Sequence, residues 1–373
     1  MLNDPLRYHG DQAAFDADLD FAVNVRGRTP QWLQDELAAG LGELAAYPSA
    51  QFDAEVRRTI AASHGRSADE VLLLHGVAEG FSLLPHLELP AIIIQPQFTE
   101  PEAAFRAAGA QVDSLVLPSP YTLSALLDDV SSGAAEQLSR QLNGRVVVIG
   151  NPTNPTGVAH SAEHIRALAS YCDVLVVDEA FMDVCDEATI QQCSVAGERL
   201  DNVIVFRSMT KTWAIAGLRC GYALGSPTLL ERLARMRPHW PLGTLQLTAM
   251  AAITAREAEL LPEIRREIRH QREAMTTLLQ AAGWQVQPSA APFVLARPPA
   301  LQELQQDQRA GECDVVKHEQ LRERLSERGV AVRRCDTFTG LDESWWRLAV
   351  RDGASVRSLI AETEAAAAAD LMQ

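Results

Sequence analysis

The chain has 373 residues, 47% of them hydrophobic, and a formal charge of −16; that length admits one large domain with a subsidiary lobe, or two domains. The charge disfavours nucleic acid and anionic membrane as partners, so any anionic ligand has to be held by a local gathering of Arg, Lys and backbone N–H groups. Six cysteines (Cys172, Cys185, Cys193, Cys220, Cys313, Cys335) without C-x-x-C or metal spacing point to reduced structural thiols and no metal site, and the lack of a basic apolar leader or an 18-residue apolar run predicts a cytoplasmic protein.

In chain order, the first thirty residues are polar and irregular, too poor in apolar periodicity to form a lobe alone. They predict an arm (1–30) that packs on the small lobe or on a partner. Short apolar runs follow: VLLL (71–74), AIIIQ (91–95), VDSLVL (112–117), RVVVIG (145–150), DVLVVDEA (173–180) and NVIVFRS (202–208). Stretches rich in Ala, Leu, Glu and Arg, such as 102–108 and 162–171, separate them. Continuous rather than alternating runs suit strands covered on both faces. The fold class predicted for 31–256 is therefore α/β, a mostly parallel sheet flanked by helices. In such sheets ligands sit beyond the carboxyl ends of the strands, where the polar residues after each run fall.

From about Glu257 the texture changes: Leu261, Ile264, Ile268, Met275 and Leu279 recur at helical spacing and predict a long amphipathic helix. The strand candidates PFVLA (292–296), GVAVRR (329–334) and WRLAV (346–350) then predict a smaller α+β lobe over 257–373. QELQQDQRAGECD (302–314) reads as a loop or insertion, and EAAAAAD near the C-terminus as a helix end.

Four strand ends carry polar residues. VVVIG is followed by NPTNPTG (151–157), a tight polar turn. VLVV is followed by Asp178-Glu179-Ala180-Phe181, and VIVF by an Arg and then Ser208-Met209-Thr210-Lys211, with Arg219 further on. VLLL is followed by His75-Gly76-Val77-Ala78-Glu79-Gly80, a glycine-containing entry to a helix. Singly, each has a plain structural explanation: an acid after a strand commonly caps a helix, and a loop Lys is commonly a solvated charge. Together and in this order they are specific.

The set resembles the fold-type I pyridoxal-phosphate enzymes, namely the class I/II aminotransferases. Within these it is most similar to the histidinol-phosphate aminotransferase and threonine-phosphate decarboxylase branch. The resemblance runs from DLDFAVNVRG (18–27) to WWRLAVR (345–351). The phrases AFMD, SMTKTWAIAGLRCGYALGSP and VAVRRCDTF look most like actinobacterial cobalamin-pathway members.

This resemblance implies an aspartate-aminotransferase-like large domain, pyridoxal 5′-phosphate as cofactor, a homodimer, and a small-molecule amino donor with a 2-oxo acid acceptor. Lys211 would form the Schiff base with the cofactor and shuttle the proton. Asp178 would pair with the protonated ring nitrogen, and Asn154 would donate to the phenolate oxygen. Ser208, Thr210 and Arg219 would hold the phosphate with the help of N–H groups around Val77, Ala78 and Glu79. Phe98 would stack on the ring. Phe181 stands where many relatives carry Tyr, so one hydrogen bond to the phenolate oxygen is missing. Tyr47 matches a residue that reaches the phosphate from the neighbouring subunit. On the substrate side, Asn24, Asn154, Arg333 and Arg347 are the matching residues. Trp345 and Trp346 read as core, Arg334 and Arg351 as surface charges, and His75 as a packed loop histidine.

The expected activity is transamination of a small phosphorylated amino acid or amino alcohol of the histidinol-phosphate type. Decarboxylation of threonine phosphate is the alternative. The bond that breaks is the one held perpendicular to the cofactor ring, and the same arginines can serve either geometry. A ligand-sensing regulator built on such a domain is a third reading. The acidic chain, and motifs that begin by residue 20 with no winged-helix module before them, speak against it.

Overall fold

The computed structural model describes residues 5–128, 132–299 and 311–368. The arm contributes β1 (Leu19–Asp20). The apolar runs become β2 (Val71–Leu74), β3 (Ala91–Gln95), β4 (Val112–Val116), β5 (Val146–Gly150), β6 (Val174–Asp178) and β7 (Val203–Ser208). A run that sequence reading passed over, β8 (Gly221–Leu224), joins them. The seven-stranded sheet has the order β2-β8-β7-β6-β5-β3-β4, with β8 antiparallel to both neighbours and the other pairings parallel.

β3, β5, β7 and β8 are buried at every residue, as strands covered on both faces must be. On one face Val147, Ile149, Leu175 and Val177 pack with Ile165, Leu168 and Trp213. On the other, Ile93, Val148, Val176 and Phe206 pack with Phe81 and Phe105. Each such side chain contributes about 1.5–3 kcal/mol of burial. β4 departs from expectation. It is the edge strand, and Asp113 and Ser114, which point to opposite faces, are both exposed.

Helix Ala50–Ser63 begins at Ser49, whose side chain accepts from Phe52 N–H at 3.4 Å, and Ala162–Ala169 begins at Ser161, which accepts from His164 N–H at 3.2 Å. The long helix starts well before Glu257 and is a single element of 38 residues, Thr244–Ala281, with Pro262 inside it. Its first half (Leu247, Met250, Ile253) packs on the sheet core, and its last turns (Met275, Leu279) pack in the small-lobe core. The change of texture marks a change of packing partner within one helix.

The small lobe contains β9 (Gln285–Val286), β10 (Phe293–Arg297), β11 (Val330–Ala331), β12 (Arg333–Arg334) and β13 (Trp346–Ala349). An antiparallel sheet of order β12-β13-β10-β9 is joined by a parallel pair of β1 and β11. The arm thus packs on the small lobe of its own chain. Phe21 is fully buried there; its N–H donates to Ala331 O at 2.9 Å and its carbonyl accepts from Ala349 N–H at 2.8 Å. Of the polar stretch 302–314, residues 302–310 lie outside the described residues, and 311–314 begin the helix Gly311–Glu327. The Ala-rich tail belongs to helix Gly353–Ala368, its last residues lying outside the described ones. Cys172, Cys185, Cys193, Cys220 and Cys335 are buried and free; the side chain of Cys313 lies outside the description. Among the described residues no helix is long and apolar enough to cross a membrane, and no group of acidic, His and Cys side chains could hold a metal ion.

Candidate active site

The parallel register sets Asp178 between Gly150 and Phe206, so β5, β6 and β7 end together. Their ends, the arm and the small lobe enclose a cavity of about 520 Å3. Asp178 and Lys211 both line it. Asp178 Oδ1 accepts from Ala180 N–H at 3.1 Å, and no described cation pairs with the carboxylate. Burial, then the neighbouring Glu179 charge, push this acid up to about 7. The Lys211 amine has no hydrogen-bond or ion-pair partner among the described residues. Burial, then the guanidinium groups of Arg347 and Arg219, pull it down to about 8.

At one end of the cavity Ser208 Oγ and Thr210 Oγ1 lie 2.6 Å apart, both side chains buried. Arg219 lines the same end, with φ +62° and Nη1 donating to Ala216 O at 3.0 Å. Gly76 is required beside it: its φ is +69°, and a Cβ there would stand 2.8 Å from Arg219 Nη2. Val77 and Ala78, at the start of helix Val77–Leu83, line the cavity. Glu79 does not, which corrects the expectation. Its N–H donates to Gly76 O at 3.1 Å, and its carboxylate pairs with Arg237 through two contacts of 2.9 Å.

Asn154 is buried, and its Oδ1 accepts from Arg347 Nη1 at 2.8 Å, which leaves its amide N–H groups for the cavity. The turn around it is held by side-chain hydrogen bonds. Asn151 Nδ2 donates to His160 O at 3.1 Å and Cys193 O at 2.9 Å, and Thr153 Oγ1 meets His160 Nε2 at 3.0 Å. Burial pushes His160 down to about 3, so it is neutral. Phe98 lies between His9 and Phe81, ring centroids 5.6 and 6.1 Å away. Phe181 packs edge-on against Phe293 at 5.0 Å.

The opposite wall carries guanidinium groups. Arg347 Nη2 donates to Ala22 O at 2.6 Å, and the Asn24 carboxamide, turned oxygen-first, accepts from Nη1 and Nε at 3.1 and 3.2 Å. Burial and nearby Arg333 push Arg347 down to about 9, still protonated at neutral pH. Arg333 also lines the cavity, but its donors serve its own chain: Nη2 bonds Tyr8 O and Thr337 Oγ1, both at 2.8 Å. The rings of Tyr8 and Phe338 lie 4.8 and 4.7 Å from its guanidinium carbon.

Tyr47 lies outside this cavity, 74% exposed and stacked on Trp240 at 4.4 Å. Arg351 is no free surface charge, because its Nε and Nη2 donate to Asp20 O at 2.8 Å and Val23 O at 2.9 Å. Arg334 pairs with Asp336. Trp346 is core and Trp345 packs under Arg297 at 4.3 Å. His75 is exposed rather than packed, with Nδ1 2.6 Å from Gln246 Nε2. Sequence reading missed His9, Asp11, Glu100 and Phe338, which also line the cavity, His9 and Glu100 paired at 2.8 Å. His9 and Asp11 belong to the arm, which shows no local pattern that separates them from solvated polar residues; Glu100 and Phe338 come from elsewhere in the chain.

These residues fit pyridoxal phosphate. An unpaired buried amine suits its aldehyde, a carboxylate without a cation suits its ring nitrogen, and a guanidinium with two hydroxyls suits its phosphate. Fold and site together define a two-lobed α/β enzyme of the pyridoxal-phosphate-dependent transferase class. The family model for aminotransferase class I and II matches residues 18–362. The chain belongs to that family and uses an amino donor and an oxo-acid acceptor.

A histidinol-phosphate aminotransferase of Mycobacterium tuberculosis (strain H37Rv) is 44% identical over 357 residues, covering 92% of this chain and 87% of that protein. The histidinol-phosphate aminotransferase of Sinorhizobium meliloti, solved with pyridoxal 5′-phosphate, matches with TM-score 0.77 at 19% identity, covering 96% of this chain and 93% of that one. The L-threonine-O-3-phosphate decarboxylase of Porphyromonas gingivalis matches with TM-score 0.73 at 20% identity, covering 92% and 98%. The last two likenesses concern the fold alone.

Proposed function

We propose that the enzyme transfers an amino group between a small phosphorylated amino compound of the histidinol-phosphate type and a 2-oxo acid, as a cytoplasmic homodimer. The observation that carries the reading is that an unpaired amine (Lys211) and a buried cation (Arg347) face one cavity. Pyridoxal phosphate, when bound, supplies an aldehyde for amines and a ring that takes up the electron pair released at the substrate α-carbon.

The chain's residues do the rest. Asp178 holds a proton at the ring nitrogen, and Asn154 donates to the phenolate oxygen. Ser208, Thr210, Arg219 and the Ala78 N–H hold the phosphate. Lys211 Nζ, pulled down to about 8, takes the proton from the α-carbon and returns it. Arg347, with Asn24 and Arg333 behind it, grips the substrate carboxylate or phosphate. Phe98 and Phe181 keep water from the ring faces.

The dimer reading is supported by exposed apolar side chains on two segments that meet where Tyr47 stacks on Trp240: Leu41 (56%) and Leu44 (55%) on one, Met236 (64%) on the other. On this reading Tyr47 serves the phosphate of the partner's site. The division into arm (1–30), cofactor domain (31–256) and small domain (257–373) is kept, its second boundary falling within helix Thr244–Ala281.

One observation supports a second reading, threonine-phosphate decarboxylation: Phe181 offers no hydroxyl where many class I/II enzymes have one. Product analysis of the holoenzyme decides between them. Histidinol phosphate with 2-oxoglutarate is expected to give glutamate. Carbon dioxide from threonine phosphate, without glutamate formation, overturns the transaminase.

A further inference from the structure

A buried ion cluster stands directly behind the cavity wall, and the chemistry above makes no use of it. Arg207 precedes Ser208 at the end of β7, with only 8% of its side chain exposed. Its Nη1 donates to Glu179 Oε2 at 2.7 Å and its Nη2 pairs with Asp183. Glu179, fully buried, also accepts from Ser194 Oγ at 2.7 Å and from Val195 N–H at 2.8 Å. Glu179 follows Asp178 in the chain, and its N–H donates to Phe206 O at 2.9 Å, which carries the β6–β7 ladder one step past Asp178. Consecutive residues of an extended strand point to opposite faces. Asp178 therefore meets the cavity while Glu179 meets Arg207.

Two adjacent carboxylates raise each other's proton affinity, and a cation held against one of them weakens that effect. We propose that Arg207 is a positioning residue for the reaction: by clamping Glu179 and Asp183 it fixes the end of β6 and leaves Asp178 free to ionise toward the cofactor ring nitrogen. This rests on the role of Asp178 proposed above.

The neighbours of Arg207 agree with that task. Tyr222 of β8 is its register partner, and Tyr222 OH meets His64 Nε2 at 2.8 Å. His64 is neutral, pushed down to about 3 by burial and then by Arg207 and Arg66. From the long helix, Arg265 Nε donates to Asp183 O at 2.9 Å, and Glu257 is pushed up to about 7 by burial and then by Asp183. Arg207 is the cation in direct contact with both acids that follow Asp178. Burial raises the Glu179 acid, and Arg207 heads the causes that pull it back.

The test is a carbon-13 carboxyl titration of the full-length chain after removal of the cofactor, with Asp178→Asn identifying the signal. The wild-type step is expected near pH 7. In Arg207→Gln, Asp178 and Glu179 titrate as a pair whose upper step lies about one pH unit or more higher. Glu179→Gln lowers the Asp178 step, the double variant returns it towards wild type, and Arg207→Lys recovers part of the shift. In the holoenzyme, Arg207→Gln lowers kcat and leaves KM within about twofold.

The proposal is overturned if Arg207→Gln and Glu179→Gln both leave the Asp178 step where it was, however much they lower the melting temperature; the cluster is then only a brace. Should Arg207→Gln fail to fold, Arg207→Lys decides alone: a step raised above wild type upholds the proposal and an unmoved one overturns it. Normal turnover by Asp178→Asn holoenzyme is a separate result, and it removes the role of Asp178 itself.

Discussion

The two walls of the cavity are built differently. The sheet wall (Asn154, Asp178, Ser208, Thr210, Lys211) hangs on the ends of β5, β6 and β7, whose apolar residues are buried and whose register is set by the ladder. The facing wall joins the arm to the small lobe through the β1–β11 pairing and, beside it, through arginines bonded to backbone. Arg347 holds Ala22 O, Arg351 holds Asp20 O and Val23 O, and Arg333 holds Tyr8 O. The groups proposed for the reacting bond thus stand on strand ends of one sheet, and the proposed substrate grip stands where these side-chain hydrogen bonds add to the β1–β11 pairing and the Phe21 backbone bonds. Damage to the first should appear in kcat, and damage to the second in KM and in the mobility of the arm.

The largest expected effect is on the sheet wall. Lys211→Ala should keep the fold and lose turnover by about a thousandfold or more, because capture of the cofactor aldehyde and proton transfer both vanish. Steady-state kinetics checks it, and full turnover by the variant removes Lys211 from the mechanism. Across the cavity, Arg347→Ala should cost about 2–5 kcal/mol in kcat/KM, mostly through KM. It should also speed amide exchange at 21–25, since Ala22 loses its partner. Arg351→Ala, which holds the arm away from the reacting atoms, should speed that exchange with a smaller kinetic loss. Equal kinetic losses would mean that the second wall works as one piece.

Asp178→Asn sharpens the contrast by separating activity from stability. Turnover should fall by about a hundredfold. Because the folded protein holds the Asp178 proton more tightly than the unfolded chain does, folding is favoured at low pH. That advantage fades as pH rises from about 4 through 7, leaving a buried charge without a partner in the cofactor-free protein. Denaturant unfolding of the cofactor-free variant should therefore match wild type near pH 4 and exceed it by about 1–3 kcal/mol at pH 8. The smallest effect lies outside both walls. Tyr47→Phe should weaken cofactor retention by about 1.5–3 kcal/mol if the partner's phosphate is its target. Unchanged retention, or a fully active monomer by light scattering, leaves Tyr47 as packing.

The sheet wall was legible because strands buried on both faces announce themselves as unbroken apolar runs, and the polar residues just past them inherit a known edge of the sheet. The failures have causes of the same kind. Gly221–Leu224 is four residues long and carries Tyr and Gly, too little for periodicity to separate from a loop. VDSLV looked buried because a run of residues does not reveal that its strand is an edge. The long helix seemed to begin at Glu257 because its first turns bury small and apolar residues against the sheet and lack a charged face there.

Local order along the chain placed Lys211 after β7, Asp178 at the end of β6 and the glycine turn after β2, because a strand's last residue and the few that follow are bound covalently to a position in the sheet. Long flexible side chains carry no such constraint. Arg351 could be taken for a surface charge, and nothing showed that Arg333 and Arg347 also hold the arm, until partners hundreds of residues away were brought alongside; Arg347 and Ala22 are 325 positions apart. Glu79 likewise stood in the right phrase but spends its N–H and carboxylate on neighbours. Burial and hydrogen-bond partners belong to the packed chain, so the tertiary structure alone decided which arginines are tied to the backbone of the arm, and that His9 and Asp11 of the arm reach the cavity.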